Sequence, residues 1–557
     1  MTRSLRSLLS AAAALAAAAA LAESPSSAPP ASGDGLARTL AAVSAPRISA
    51  RIRFLADDLL EGRGTGARGS EIAARYIAAE FAEDGLRPAG DDGTYLQNFE
   101  MVGVSTDPSS ELDLDTPKGK IALKNGENSV LSTRDQRPEA AIDAPVLFVG
   151  YGITAPEMHW DDYANSDASG KLLVCLVNDP PSADPKFFGG RALTYYGRWT
   201  YKYEEAARRH AAGILLVHTD ALAGYGWQVV RNSWSGEQAQ LPLEKGTRDV
   251  PLNGWITREV AERLFADNGM NLDEMIARAG KPGFRPVALQ TRAEGKLAFK
   301  VRPYKTENVV GILPGSDPAK KSTYVAVSAH FDHLGVGAPD ARGDTIYNGA
   351  VDNASGTAAM LEMARAAADG RWKPKRSILF VGVTAEEQGL LGSLYLARHT
   401  PVPADRIAAD FNMDVLSVHG ETADFTLLGV DRTTLEPLAR RVAQAVNVKL
   451  DPDAHPEQGS YFRSDHFSFV RVGVPAINVE PGWLIRGHDA AYGEKLFQDY
   501  NNHHYHQPSD EFDPKWNLAG TVQEARLILR LMDAVSNAPE MPKLEKEGFP
   551  AAVALSH

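Results

Sequence analysis

Cysteine is almost absent: Cys175 is the only one in 557 residues. No internal disulfide can staple this fold, so it must rest on its core and on metal. Cys175 lies in the apolar run Leu172–Val177, where it reads as a small buried hydrophobe. A long basic run is also missing, and 71 acidic against 58 basic residues give a formal charge of -13. That balance argues against nucleic acid and anionic membrane surfaces as partners. Nor does any apolar run reach the roughly 20 residues of a membrane span. The longest, Leu8 to Leu21, follows Arg3 and Arg6 and ends at Ala20-Leu21-Ala22, the three parts of a secretory signal. The expectation is cleavage near Ala22 and an exported protein, periplasmic or secreted, with no membrane span in its mature form. No cysteine stands directly after that point to carry a lipid.

A hydrophobic content of 44% and a charged content of 23% describe an ordinary globular chain, and its length calls for more than one core. Ser24 to Gly35 has the composition of a linker. Helical spacing begins at Ile48, and a glycine-rich loop, Glu61 to Gly69, leads into a second helix, Ser70 to Asp84. Gly64, Gly66 and Gly69 match the spacing of a dinucleotide fingerprint. A helix rather than a strand precedes them, so the stretch reads as a loop between two helices. From about Ser105 to Glu294 the texture changes to short strands and turns that gather no metal-binding or nucleophilic groups. Beyond it, strands alternate with helical patterns, which predicts an α/β fold with a mostly parallel central sheet flanked by helices. The last helix is expected over Leu518 to Val535, with a loose tail after it.

The chemistry collects at the ends of those strands. Tyr324 to Ala329 leads to His330 and Asp332; the next loop carries Asp352; Ser377 to Thr384 leads to Glu386 and Glu387; Ala408 to Met413 leads to Asp414. A late loop adds His503-His504-Tyr505-His506. In an open parallel sheet, strand ends and the loops after them face the ligand crevice. Carboxylates crowded there repel unless protons or cations neutralise them. Imidazole mixed with carboxylate suits zinc, with manganese or cobalt as substitutes. Two histidines with three or four carboxylates suit two ions about 3.5–4 Å apart that share a bridging carboxylate.

The order and wording of these motifs resemble the co-catalytic zinc aminopeptidases, relatives of glutamate carboxypeptidase and the transferrin receptor. The matching stretches are Ser-Ala-His330-Phe-Asp332-His-Leu-Gly, Gly-Ala-Val-Asp352-Asn-Ala-Ser-Gly, Thr-Ala-Glu386-Glu387-Gln-Gly, Asn-Met-Asp414 and Tyr-His506-Gln-Pro-Ser-Asp510. The resemblance implies two zinc ions per chain, one held by His330 and Asp414, the other by Glu387 and His506, with Asp352 between them. It implies Glu386 as general base, Asp332 as the group that orients His330, and Tyr461, four residues before Asp465, as a phenol on the oxyanion. It also implies a cis peptide from Asp352 to Asn353. The block between resembles a protease-associated domain, a smaller β-rich insert. The division expected is signal 1–22, linker 23–36, peptidase domain 37–104 and 295–540, insert 105–294, tail 541–557. The fold implied is that of the zinc exopeptidases, phosphorylase/hydrolase-like, acting on peptides from the N-terminus. A glutamate-carboxypeptidase-like dipeptidase, a cyclase and a non-catalytic receptor are the alternatives.

Overall fold

The computed structural model describes residues 32–546, so the expected signal over 1–22 lies outside them. Among the described residues no helix is long and apolar enough to cross a membrane. The later half of the chain, which carries these motifs, is built on a sheet whose four central strands run parallel, in the order Ser377–Val383, Tyr324–His330, Ile407–Met413, Ala476–Pro481. Antiparallel strands flank this centre: Val287–Leu313 on one side and Asp424–Leu428 on the other.

These central strands are continuous apolar runs because both faces are covered. Val325, Val327 and Ala329 face one core, with Ile378 and Phe380 beside them, while Ala326, Leu379, Val381 and Val383 face the other. Helices Ala45–Leu55, Arg68–Glu83, Gly356–Ala368 and Ala519–Asn537 close the first face. Helices Leu391–Arg398 and His466–Arg471 pack on the second. From strand Tyr324–His330 the chain crosses to Ser377–Val383 on one side and later returns to Ile407–Met413 on the other. The crevice at that reversal is where such sheets bind ligands.

The insert does not hang on linkers. Strands Leu96–Thr106 and Val287–Leu313 cross its expected boundaries without a break and pair with each other from Leu96/Val309 to Thr106/Phe299. Inside the insert, Leu172–Leu176, Gly213–Val217 and Asn253–Ile256 form a parallel core for a second sheet. Between the last two of these strands the chain turns back: helix Trp227–Trp234 is followed by strand Gln238–Gln240, which pairs with Val102–Val104 of the first sheet.

Two terminal expectations need correction. The stretch read as linker already holds the start of a helix, Ser32–Ala42. The described part of the tail is anchored, since Thr434 donates its backbone N–H to the Lys543 carbonyl at 3.0 Å and Glu545 donates to that of Arg432 at 2.8 Å. Cys175 is buried, as its apolar run requires.

Candidate metal centre

Three strand ends bring His330, Glu386, Glu387 and Asp414 to one crevice, the turn Ala350–Ser355 brings Asp352, and the loop after helix Ala490–His503 brings His506. Ligand atoms of His330, Asp352 and Glu387 lie within 4.8 Å of one another. Asp352 sits between two halves of the site: one carboxylate oxygen is 3.3 Å from His330 Nε2 and the other is 3.4 Å from His506 Nε2. Asp414 flanks the first half, 3.2 Å from His330 Nε2, and Glu387 the second, 2.9 Å from His506 Nε2. All five are largely shielded from solvent. The peptide from Asp352 to Asn353 is cis.

The surrounding charges set the protonation. Burial lowers the proton affinity of both histidines, yet the facing carboxylates win and pull His330 well above the usual imidazole range. Burial disfavours the Asp352 carboxylate, but hydrogen bonds from His330 and His506 outweigh it and hold the group well below the carboxylate range. Glu386 goes the other way: burial, with Glu387 and Asp414 close by, pushes it well up. Histidine nitrogens and carboxylate oxygens that converge from both sides of Asp352 are a donor set that fits zinc.

Each donor is braced from behind. Asp414 accepts from Ser464 Oγ at 2.7 Å, Ser464 from Asn412 at 2.6 Å, and Ser328 donates to Asn412 at 2.9 Å, a buried polar chain that crosses the parallel strands. Asp510 receives the backbone N–H groups of Val351 and Asp352, each at 3.0 Å, which explains its place in the Gln-Pro-Ser-Asp motif. His333 Nδ1 lies 2.6 Å from Glu387 Oε1, a partner the sequence reading passed over although it stands in the same motif. Arg63, fully buried in the glycine-rich loop, donates to the carbonyls of Leu55, Phe331, Asn348 and Gly349. That loop does join two helices.

Two expected roles change. His330 Nδ1 meets the backbone carbonyl of Asp332 at 3.2 Å, not its carboxylate. The carboxylate instead accepts from Thr65 Oγ1 and, at 2.6 Å, from the N–H of Ala385, which has φ +57 immediately before Glu386. Asp332 therefore fixes the turn that aims Glu386. Tyr461 is not on the cavity: its ring packs with Phe462 and Phe467 under the Arg432 guanidinium, 4.4 Å away. Burial raises its phenol, and the hydroxyl has no hydrogen-bond partner. A bulky ring in an apolar stretch is captured by the core. The phenols that do line the cavity are Tyr225, Tyr500 and Tyr505.

The cavity at the donors has a volume of about 220 Å³ and includes Asp453 and Glu480 in its wall. A larger space of about 590 Å³ adjoins it behind Trp483, Phe497 and Tyr500 and holds none of the five donors. The chemistry belongs to the smaller one.

Residues 308–529 match the family described as peptidase family M28. A probable zinc metalloprotease of Pyrenophora teres f. teres is 38% identical over 114 residues, 20% of this chain and 23% of that protein. Aminopeptidase YwaD of Bacillus subtilis is 30% identical over 197 residues, 34% of this chain and 39% of that protein. The chain thus spans well under half the length of these relatives in the matched stretches. The solved aminopeptidase from Aneurinibacillus sp. strain AM-1 shares the fold over 90% of this chain and 95% of its own, with a TM-score of 0.54 and 18% identity. The matched segment, residues 308–529, is thus similar to peptidase family M28.

Proposed function

We propose that the protein is an exported di-zinc exopeptidase, an aminopeptidase that removes N-terminal residues from peptides. His330 and Asp414 would hold one ion and Glu387 and His506 the other, with Asp352 placed to serve both. Zinc there supplies Lewis-acid activation of a water and of the scissile carbonyl. Glu386, kept proton-avid by its buried acidic surroundings, takes the proton from the attacking water and passes it to the leaving amine. Asp332 holds the Ala385 N–H and with it the approach of Glu386. The insert is read as a protease-associated domain that walls the cavity.

One observation carries the choice of an aminopeptidase. Beyond the donors, the cavity wall presents Asp453 and Glu480, and Arg463 is the only lysine or arginine among its lining residues. Burial and the neighbouring Asp453 and Asp414 push Glu480 up to about 8. A protonated α-amine bound there relieves that crowding, whereas a carboxylate adds to it. The aminopeptidase named among the relatives is consistent with this reading.

Release of p-nitroaniline from aminoacyl p-nitroanilides, free and N-acetylated, with chelator and with added zinc, tests it. Chelator-sensitive cleavage of the free-amine set alone is the expected result. Cleavage confined to N-acetylated substrates, or unaffected by chelator, contradicts it.

A dipeptidase of the glutamate-carboxypeptidase kind is favoured by one feature. Arg198 and Arg463 line a small adjoining space with Tyr505 and Glu386, and among the described residues neither has a carboxylate partner. Burial and Arg463 lower Arg198 to about 10. Faster turnover of N-acetylated dipeptides ending in glutamate than of any p-nitroanilide selects this second reading.

A further inference from the structure

The two halves of the metal centre are braced by different parts of the chain. His330 takes its support from its own loop, through the Asp332 carbonyl at 3.2 Å. His506 does not. Its Nε2 faces Asp352 and Glu387, so Nδ1 is the outward nitrogen, and the atom it meets is Ser233 Oγ at 2.7 Å, on helix Trp227–Trp234 of the insert. The neighbouring Asn232 donates its side-chain N–H to the His506 carbonyl at 3.1 Å. That second contact falls on a residue with φ +54, an unfavourable backbone conformation for histidine, so ring and backbone are clamped by consecutive residues of one helix. Ser233 is itself buried, 4% exposed. The same segment reaches the other ligand strand end: Ala239 donates its backbone N–H to the Gln388 side chain at 3.0 Å, next to Glu387.

We infer that Ser233 is a positioning residue through which the insert completes the Glu387/His506 metal position and leaves the His330/Asp414 position to the catalytic domain alone. This rests on the two-zinc reading of the site. The hydroxyl acts by accepting the Nδ1 proton, which fixes the tautomer with a free lone pair on Nε2 and holds the ring toward Asp352 and Glu387. One metal position is thereby made dependent on how the insert is docked, and the other is not.

Zinc titration of the metal-stripped full chain against a chromophoric chelator tests this in the wild type, Ser233→Ala and Ser233→Thr. In Ser233→Ala one of the two binding steps weakens roughly 10- to 100-fold and the other is unchanged. Ser233→Thr, which keeps the hydroxyl, restores the weakened step, and the Tm of the stripped protein stays that of the wild type. Two unchanged steps in Ser233→Ala overturn the inference. So does an equal weakening of both steps with a fall in the stripped Tm, the mark of a merely structural serine. A wild type that takes up no zinc defeats the reading of the site itself, an outcome distinct from two normal steps indifferent to Ser233.

Discussion

Glu386→Gln is expected to lower kcat roughly 10²- to 10⁴-fold with zinc content unchanged. Glutamine keeps the size of the side chain but cannot take a proton. Glu386 stands apart from its neighbours Asp352, Asp414 and Glu387, each of which meets an imidazole nitrogen between 2.6 and 3.4 Å. The three paired groups are ligands in form, and Glu386, proton-avid through burial, is a base in form. Steady-state kinetics beside metal analysis checks this. Retained kcat removes Glu386 from the base role, and lost zinc makes it a ligand.

Arg63→Ala is expected to cost about 3–5 kcal/mol of folding free energy. The guanidinium is fully buried, and its donors spread over four backbone carbonyls, of which those of Phe331, Asn348 and Gly349 flank the loops that carry His330 and Asp352. Removal leaves buried acceptors without their donor and opens a cavity beneath the site. Lysine does not rescue it, because one ammonium cannot reproduce a fork that reaches carbonyls in several directions. Urea unfolding reads the loss. A change below about 1 kcal/mol contradicts the clamp assigned to this side chain.

Much of the catalytic half is legible in the sequence because its strands are buried on both faces. A run such as Tyr324 to Ala329 can be little else, and the first charged residue after it marks the crevice. Each metal donor stands directly behind such a run or in a motif with a fixed neighbour, as Tyr505 does for His506. What escapes is the work of residues whose partners are remote in the chain. Ser233 meets His506, and Arg63 meets Gly349, across separations that no local pattern records. His333 is adjacent to recognised residues, but its pairing to Glu387 depends on how two strand ends converge. Tyr461 fails for the opposite reason: its motif position points to the site, while its large apolar ring packs in the core. Asp332 keeps its place and changes its task, because the carbonyl and the carboxylate of one residue compete for the same histidine.

The central claim is that two zinc ions share Asp352. Anomalous scattering at the zinc edge from crystals of the zinc-loaded protein tests it most directly. The account predicts two peaks about 3.5–4 Å apart, one beside His330 and Asp414, the other beside Glu387 and His506, with Asp352 between. A single peak, or peaks that leave Asp352 unligated, contradicts it.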